Sequence, residues 1–275
     1  MNVKVINNYS KLKPSLFYLP ISLLAAITLF LHHKDALHTD KYVQIQKDVF
    51  FFINYNLGQY PDIIYNLTQL GDASIILSIL SIFILYAPKM WESLMSASLV
   101  SLVFSVGLKN ILRVPRPAVM FDNNCFVIIG KKAVGFASLP SGHSITVFTT
   151  FTVLLFAFMP EKPPHKILWV LFTIITGLTI AFTRVGVGAH YPLDVIIGSI
   201  VGYISGLAGI FISRKYSIWA WVNNKKYYPI FILSLLACFM SLISQVIDKN
   251  LIILYFVLIC VIFPIYKMAY AFIKR

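Results

Sequence analysis

Three short clusters of residues together hold the groups needed to handle a phosphoryl group: Lys109-x6-Arg116-Pro117, Pro140-Ser141-Gly142-His143 and Arg184-x5-His190-x3-Asp194. A phosphoryl group in transfer spreads negative charge over its equatorial oxygens, so a catalyst needs fixed cations, hydrogen-bond donors, a nucleophile and an acid for the leaving oxygen. The clusters contain all four. Arg116 stands between Pro115 and Pro117, whose fixed ring torsions stiffen the chain, and a rigid guanidinium fork suits a pair of phosphate oxygens. Pro140-Ser141-Gly142-His143 runs straight into an apolar stretch. Ser141 reads there as a helix N-cap, and the unpaired N–H groups of the first turn, approached closely because of Gly142, make an anion cradle. His143 then projects where a leaving oxygen can take a proton. In the third cluster, Asp194 can accept a hydrogen bond from one imidazole nitrogen of His190 and leave the other free to attack.

Each cluster also has a plainer reading. Lys109 alone is a snorkelling lysine at the end of an apolar run, Ser141 an ordinary cap, and Asp194 a capping carboxylate beside an interfacial histidine. Arg113, one helical turn from Lys109, is a further candidate for headgroup contact. Arginine, histidine and aspartate are costly at a membrane boundary, and their joint occurrence favours a functional site.

The elements that must position these residues are membrane helices. The 275-residue chain is 59% hydrophobic and only 12% charged, against roughly 25% charged in a soluble domain. A spanning helix needs about 20 apolar residues, and candidate spans fall at 15–32, 70–87, 93–112, 143–160, 167–184, 193–213, 229–246 and 251–270. The first is read as a retained span rather than a signal peptide, because no small-x-small cleavage pattern follows it before Lys34. Residues 41–66, with Asp48, Asn54, Asn56 and Pro61, are too polar to cross and are expected at the interface. Cys125, Cys238 and Cys260 have no metal-ligand or disulfide spacing. The net charge of +13 is scattered between apolar runs, which argues against a nucleic-acid partner.

Loop charges set an orientation. With both termini cytoplasmic, the inner side holds thirteen basic residues, Arg275 among them, against Glu92 and Glu161. The positive-inside rule favours this arrangement, and it places all three clusters on the extracytoplasmic side.

The clusters match the tripartite signature of the type 2 phosphatidic acid phosphatase family, related to the vanadium haloperoxidases, and the chain resembles that family over roughly residues 45–213. One departure is Thr183, where the family usually has serine. The resemblance implies an all-α polytopic membrane helix bundle of about eight spans, a six-helix phosphatase core plus a C-terminal transmembrane hairpin. Residues 1–228 would hold the core with its N-terminal span and interfacial segment, and residues 229–275 a two-span extension of the same domain. It implies a metal-independent, cofactor-free hydrolase of a membrane lipid phosphate or diphosphate, such as undecaprenyl diphosphate, phosphatidylglycerol phosphate, phosphatidic acid or lipid A. In these terms His190 is the nucleophile that becomes a phosphohistidine, Asp194 orients it, and His143 protonates the leaving oxygen. Lys109, Arg116, Ser141, Gly142 and Arg184 hold the phosphate. The expected setting is the cytoplasmic membrane, with the site facing the periplasm or exterior. The rival readings are a lipid phosphotransferase of the same fold and a non-catalytic lipid-binding or lipid-translocating protein.

Overall fold

Backbone in lipid must satisfy its own hydrogen bonds, so long apolar runs become helices. The computed structural model describes residues 1–274, and all regular structure among them is helical; Arg275, counted above with the inner cations, lies outside the described residues. In chain order the α-helices are α1 (Asn2–Ser10), α2 (Tyr18–His33), α3 (Thr39–Gln44), α4 (Lys47–Gly58), α5 (Pro61–Gln69), α6 (Ala73–Leu80), α7 (Phe83–Tyr86), α8 (Pro88–Leu112), α9 (Pro117–Met120), α10 (Gly142–Ala157), α11 (Pro163–Gly186), α12 (Pro192–Lys215), α13 (Tyr228–Lys249) and α14 (Ile252–Ile273). Proline opens α5, α8, α9, α11, α12 and α13, where its missing N–H would have no helical partner anyway.

Six segments are long and apolar enough to cross a membrane: Pro14–His33, Pro88–Met120, Pro163–Gly186, Pro192–Lys215, Lys225–Lys249 and Ile252–Ile273. α10 is apolar but only 16 residues long. The continuous span expected over 70–87 is instead broken at 81–82, where α6 ends and α7 starts. α5 and α6 meet at a 69° bend, Asp72 caps α6 by accepting from Ser74 N at 2.8 Å, and α7 is a separate short piece. Gly71 occupies the bend because a Cβ there would lie 2.7 Å from Cβ of His143.

The centre of the bundle is α10 against α12, with α8 alongside. Gly198, Gly202 and Gly206 form a stripe at four-residue spacing on α12. A Cβ at these positions would fall 2.7, 2.5 and 2.6 Å from Ser141 O, Ile145 O and Thr152 Cβ. Such small residues let helix backbones approach closely in a membrane. The close fit also seats the start of α10 on the start of α12, where Ser141 N donates to Asp194 O at 3.0 Å. Because neighbouring helices alternate in direction, Lys109, His143, Arg184 and Asp194 collect at one end of the bundle. The opposite end is closed by α1, whose Asn8 Nδ2 donates to Ala157 O and Met159 O, both at 3.1 Å.

Candidate active site

Between Gly186 and Pro192 the chain must reverse, and Gly188 does this at φ +74°. A side chain there would also strike the Val127 carbonyl at 2.7 Å. Ala189 N and His190 N both donate to Arg184 O, at 3.0 and 3.2 Å, so the turn ties His190 to the end of α11. His190 is only 2% exposed and Asp194 fully buried. Asp194 is held by three donors: Tyr42 Oη to Oδ1 at 2.8 Å, Ser138 Oγ to Oδ2 at 2.6 Å, and Tyr191 N to Oδ2 at 3.0 Å. His190 Nδ1 lies 3.4 Å from Oδ2, at ion-pair distance but with no hydrogen bond closed. Such bonds are commonly long in unliganded sites and tighten when substrate binds.

Nε2 of His190 faces the cations. Arg116 Nη1 is 3.4 Å away and also donates to Ala189 O at 3.1 Å. Burial pushes the His190 imidazole well below its ordinary pKa, and the charges of Arg116, Arg184 and Lys109 push the same way. The ring is therefore neutral at pH 7 and has an unprotonated nitrogen, the state a nucleophile requires.

Arg184 Nη1 donates to Thr68 Oγ1 at 3.0 Å, while its buried Nε has no hydrogen-bond partner. A guanidinium N–H left unpaired inside a protein is costly, and here it is a donor available to an anion. Lys109 lies across the start of α10, with Nζ 3.1 Å from where a Cβ on Gly142 would sit. Ser141 caps α10: its Oγ accepts from Ser144 N at 3.4 Å and Ser144 Oγ at 2.9 Å, which leaves its own proton to donate elsewhere. His143 has Arg184, His190, Lys109 and Arg116 as electrostatic neighbours. Every signature residue is thus brought into one cluster. Arg113 is not: it is the exposed left-handed cap of α8, and its Nε bonds Asn110 O at 3.2 Å. The Thr183 hydroxyl is buried and donates to Ile180 O, so it serves the helix rather than the cluster.

A cavity of about 380 Å³ runs from His143 along α6, α8 and α10, with Gly71, Leu77, Ser98, Leu102, Ser105 and Thr146 in its walls. Leu99 and Leu102, both in its walls, are more than half exposed, on a helix long and apolar enough to cross a membrane.

Three residues missed in the sequence reading come from the segment expected only to lie at the interface, and a fourth, Thr68, from just beyond it. Tyr42 holds Asp194. Gln46 Oε1 accepts from Leu193 N at 2.9 Å. Asn54 Nδ2 donates to Val127 O, Val185 O and Gly186 O, and its Oδ1 accepts from Val127 N. Thr68 carries Arg184. Ser138 was missed as well. The available hint was a run of buried-capable amides, Gln46 and Asn54, inside an aromatic-rich stretch.

Fold and site together define an all-helical membrane protein with a buried histidine–aspartate pair facing three cations. The family model described as PAP2 superfamily matches residues 89–226, half of the chain, and the chain belongs to that superfamily, as its three clusters anticipated. It is 33% identical over 140 residues to the lipid A 1-phosphatase of Rhizobium etli, covering 47% of this chain and 57% of that protein's length. It is 25% identical over 189 residues to the undecaprenyl-diphosphatase of Sulfolobus acidocaldarius, covering 68% and 86%. The crystal structure of Aquifex aeolicus LpxE superposes with a TM-score of 0.48 at 26% identity, over 62% of this chain and 96% of that one.

Proposed function

We propose that this chain is a membrane lipid phosphatase acting through a phosphohistidine. The observation that carries this reading is the neutral, buried His190 with Nε2 turned toward Arg116 and the unpaired Nε of Arg184 nearby. Nε2 attacks phosphorus and the P–N bond forms as the P–O bond to the lipid breaks. His143, held below its ordinary pKa by burial and the nearby cations, takes up a proton when the phosphate dianion offsets those cations and gives it to the departing oxygen. Water, giving its proton to the now neutral His143, then attacks phosphorus, and the P–N bond breaks to release phosphate. Lys109, Arg116, Arg184, Ser141 and the Gly142 N–H neutralise the oxygens, a task that otherwise falls to a metal ion. Activity is therefore expected to persist in excess EDTA.

Named activities of the relatives support a lipid substrate, lipid A or undecaprenyl diphosphate. The cavity between α6, α8 and α10 supports it too, since it leads from His143 to the lipid-facing surface. An extracytoplasmic site is supported by the inner-side lysines: Lys11, Lys89, Lys166 and Lys215 all lie on the elements at the end opposite the cluster.

Purified protein incubated with undecaprenyl diphosphate, phosphatidylglycerol phosphate, phosphatidic acid and lipid A should release phosphate from at least one. The preferred lipid should be hydrolysed with a much higher kcat/KM than its short-chain soluble analogue. No release from any of them, by protein that is folded, would sink the reading. Exposed Cys125, on the loop over the cluster, should react with an impermeant maleimide applied to intact cells; protection there with labelling after lysis would reverse the orientation.

A further inference from the structure

Two adjoining cavities lie in the bundle, one at the end opposite the candidate active site and one running from there along the helices as far as Phe148 and Ile196. One, of about 720 Å³, lies between α1, the end of α10 and the start of α11, with Lys11, Lys166, Asn8 and Glu161 at its polar rim. The other, of about 590 Å³, is a trough along α2, α10, α11 and α12, walled by residues such as Leu23, Phe148, Ile174 and Ile200. Phe156, Met159 and Val170 line both. The two adjoin across these shared walls, a cationic mouth beside an apolar body.

We propose that this site binds an anionic diacyl phospholipid from the leaflet opposite the active site, with its phosphate at Lys11 and Lys166 and its chains in the trough. Charge complementarity points to the headgroup, because two lysines face one glutamate at the mouth, and basic residues near a membrane surface attract anionic lipid. The setting points to the chains. Three of its four walls, α2, α11 and α12, are long and apolar enough to span, so its opening is expected to face hydrocarbon, and water inside it would find few polar partners. The mouth is also built rather than incidental. Asn8 fixes α1 to the end of α10, and Arg214 donates to Leu12 O and Ser10 O at 3.1 and 3.3 Å, pinning the link that carries Lys11 to α12. The inference does not depend on the proposed activity.

The test uses the full-length protein in detergent, with phosphatidylglycerol or phosphatidylcholine added, read by native mass spectrometry and by thermal melting. Phosphatidylglycerol should be retained preferentially and should raise the melting temperature more. The Lys11→Glu/Lys166→Glu variant should lower its retention by about tenfold or more and erase the preference over phosphatidylcholine. Ile174→Trp, which fills the trough, should lower retention of both lipids. Both lysines and Ile174 are exposed at the surface, so the variants should fold; Lys11→Gln/Lys166→Gln gives a milder check. Equal retention in all the proteins, equal stabilisation by the two lipids, or the full effect from inorganic phosphate alone would overturn the proposal.

Discussion

The stretch from Lys109 to Asp194 and the stretch from Thr39 to Gln69 build the same cluster in different ways. The first provides the groups that face a phosphate. The second provides none of these, yet Tyr42, Gln46, Asn54 and Thr68 hold Asp194, Leu193, the 185–188 turn and Arg184 in place. Groups that meet the phosphate must be of particular types at helix ends, which forces recurrent spacing. A positioning group has only to deliver one hydrogen bond across the fold, so its type and place leave little trace in sequence.

That difference can be broken open by substitution. The largest effects should come from the first stretch: Asp194→Asn and Arg184→Met should each lower kcat by about 100-fold or more, as removal of orienting and charge-stabilising groups does elsewhere. A loss of under fivefold in folded protein would remove either residue from the mechanism.

Gly71→Ala comes next, because its new Cβ would collide with Cβ of His143 at the bend of α5 and α6. It should depress turnover of a lipid with a poor leaving group more than that of nitrophenyl phosphate. Equal losses on both would show that His143 is not the acid.

Tyr42→Phe tests the second stretch. Burial and the Asp194 carboxylate push the Tyr42 phenol well above its ordinary pKa, so it stays a donor at any working pH. Losing this one hydrogen bond to a carboxylate should lower kcat by about tenfold, with KM little changed. An effect on KM alone would mean that Tyr42 contacts substrate instead. Asn54→Ala should act on stability, because it removes the side-chain bonds to Val127, Val185 and Gly186, and should cost about 1–3 kcal/mol. An unchanged melting temperature would count against its anchoring role.

The smallest effect is in pH dependence. Unfolded histidine takes up a proton near pH 6.5, whereas folded His190 resists it, so unfolding gains a proton as pH falls through that range. Folded stability contributed by a neutral His190 should therefore fall below about pH 6.5. The melting temperature of the wild type should drop more between pH 7.5 and 5.5 than that of His190→Gln. An equal drop would show that His190 titrates normally.

The sequence reading went furthest where membrane physics or phosphate chemistry constrains residue type. Apolar length located α2, α8, α11, α12, α13 and α14 to within a few residues at most ends, and the signature residues all converge. It failed at 70–87, where apolar content alone suggested a straight helix. The interruption falls at 81–82, between α6 and α7, while the bend that sets the start of α6 depends on Gly71 yielding space to His143, 72 positions away in the chain, and on Asp72 capping a new helix. Tyr42 and Asn54 were invisible for the same reason, since their partners lie more than 70 residues away.

The most direct test is to trap the covalent intermediate. Purified protein mixed with a phosphate-labelled lipid substrate and quenched in base within one turnover should carry the label on His190, as an acid-labile phosphohistidine found by peptide mass spectrometry. His190→Ala should carry none and should release no phosphate. Turnover by the wild type with no label on His190, or phosphate release by His190→Ala at a near-normal rate, would contradict the account.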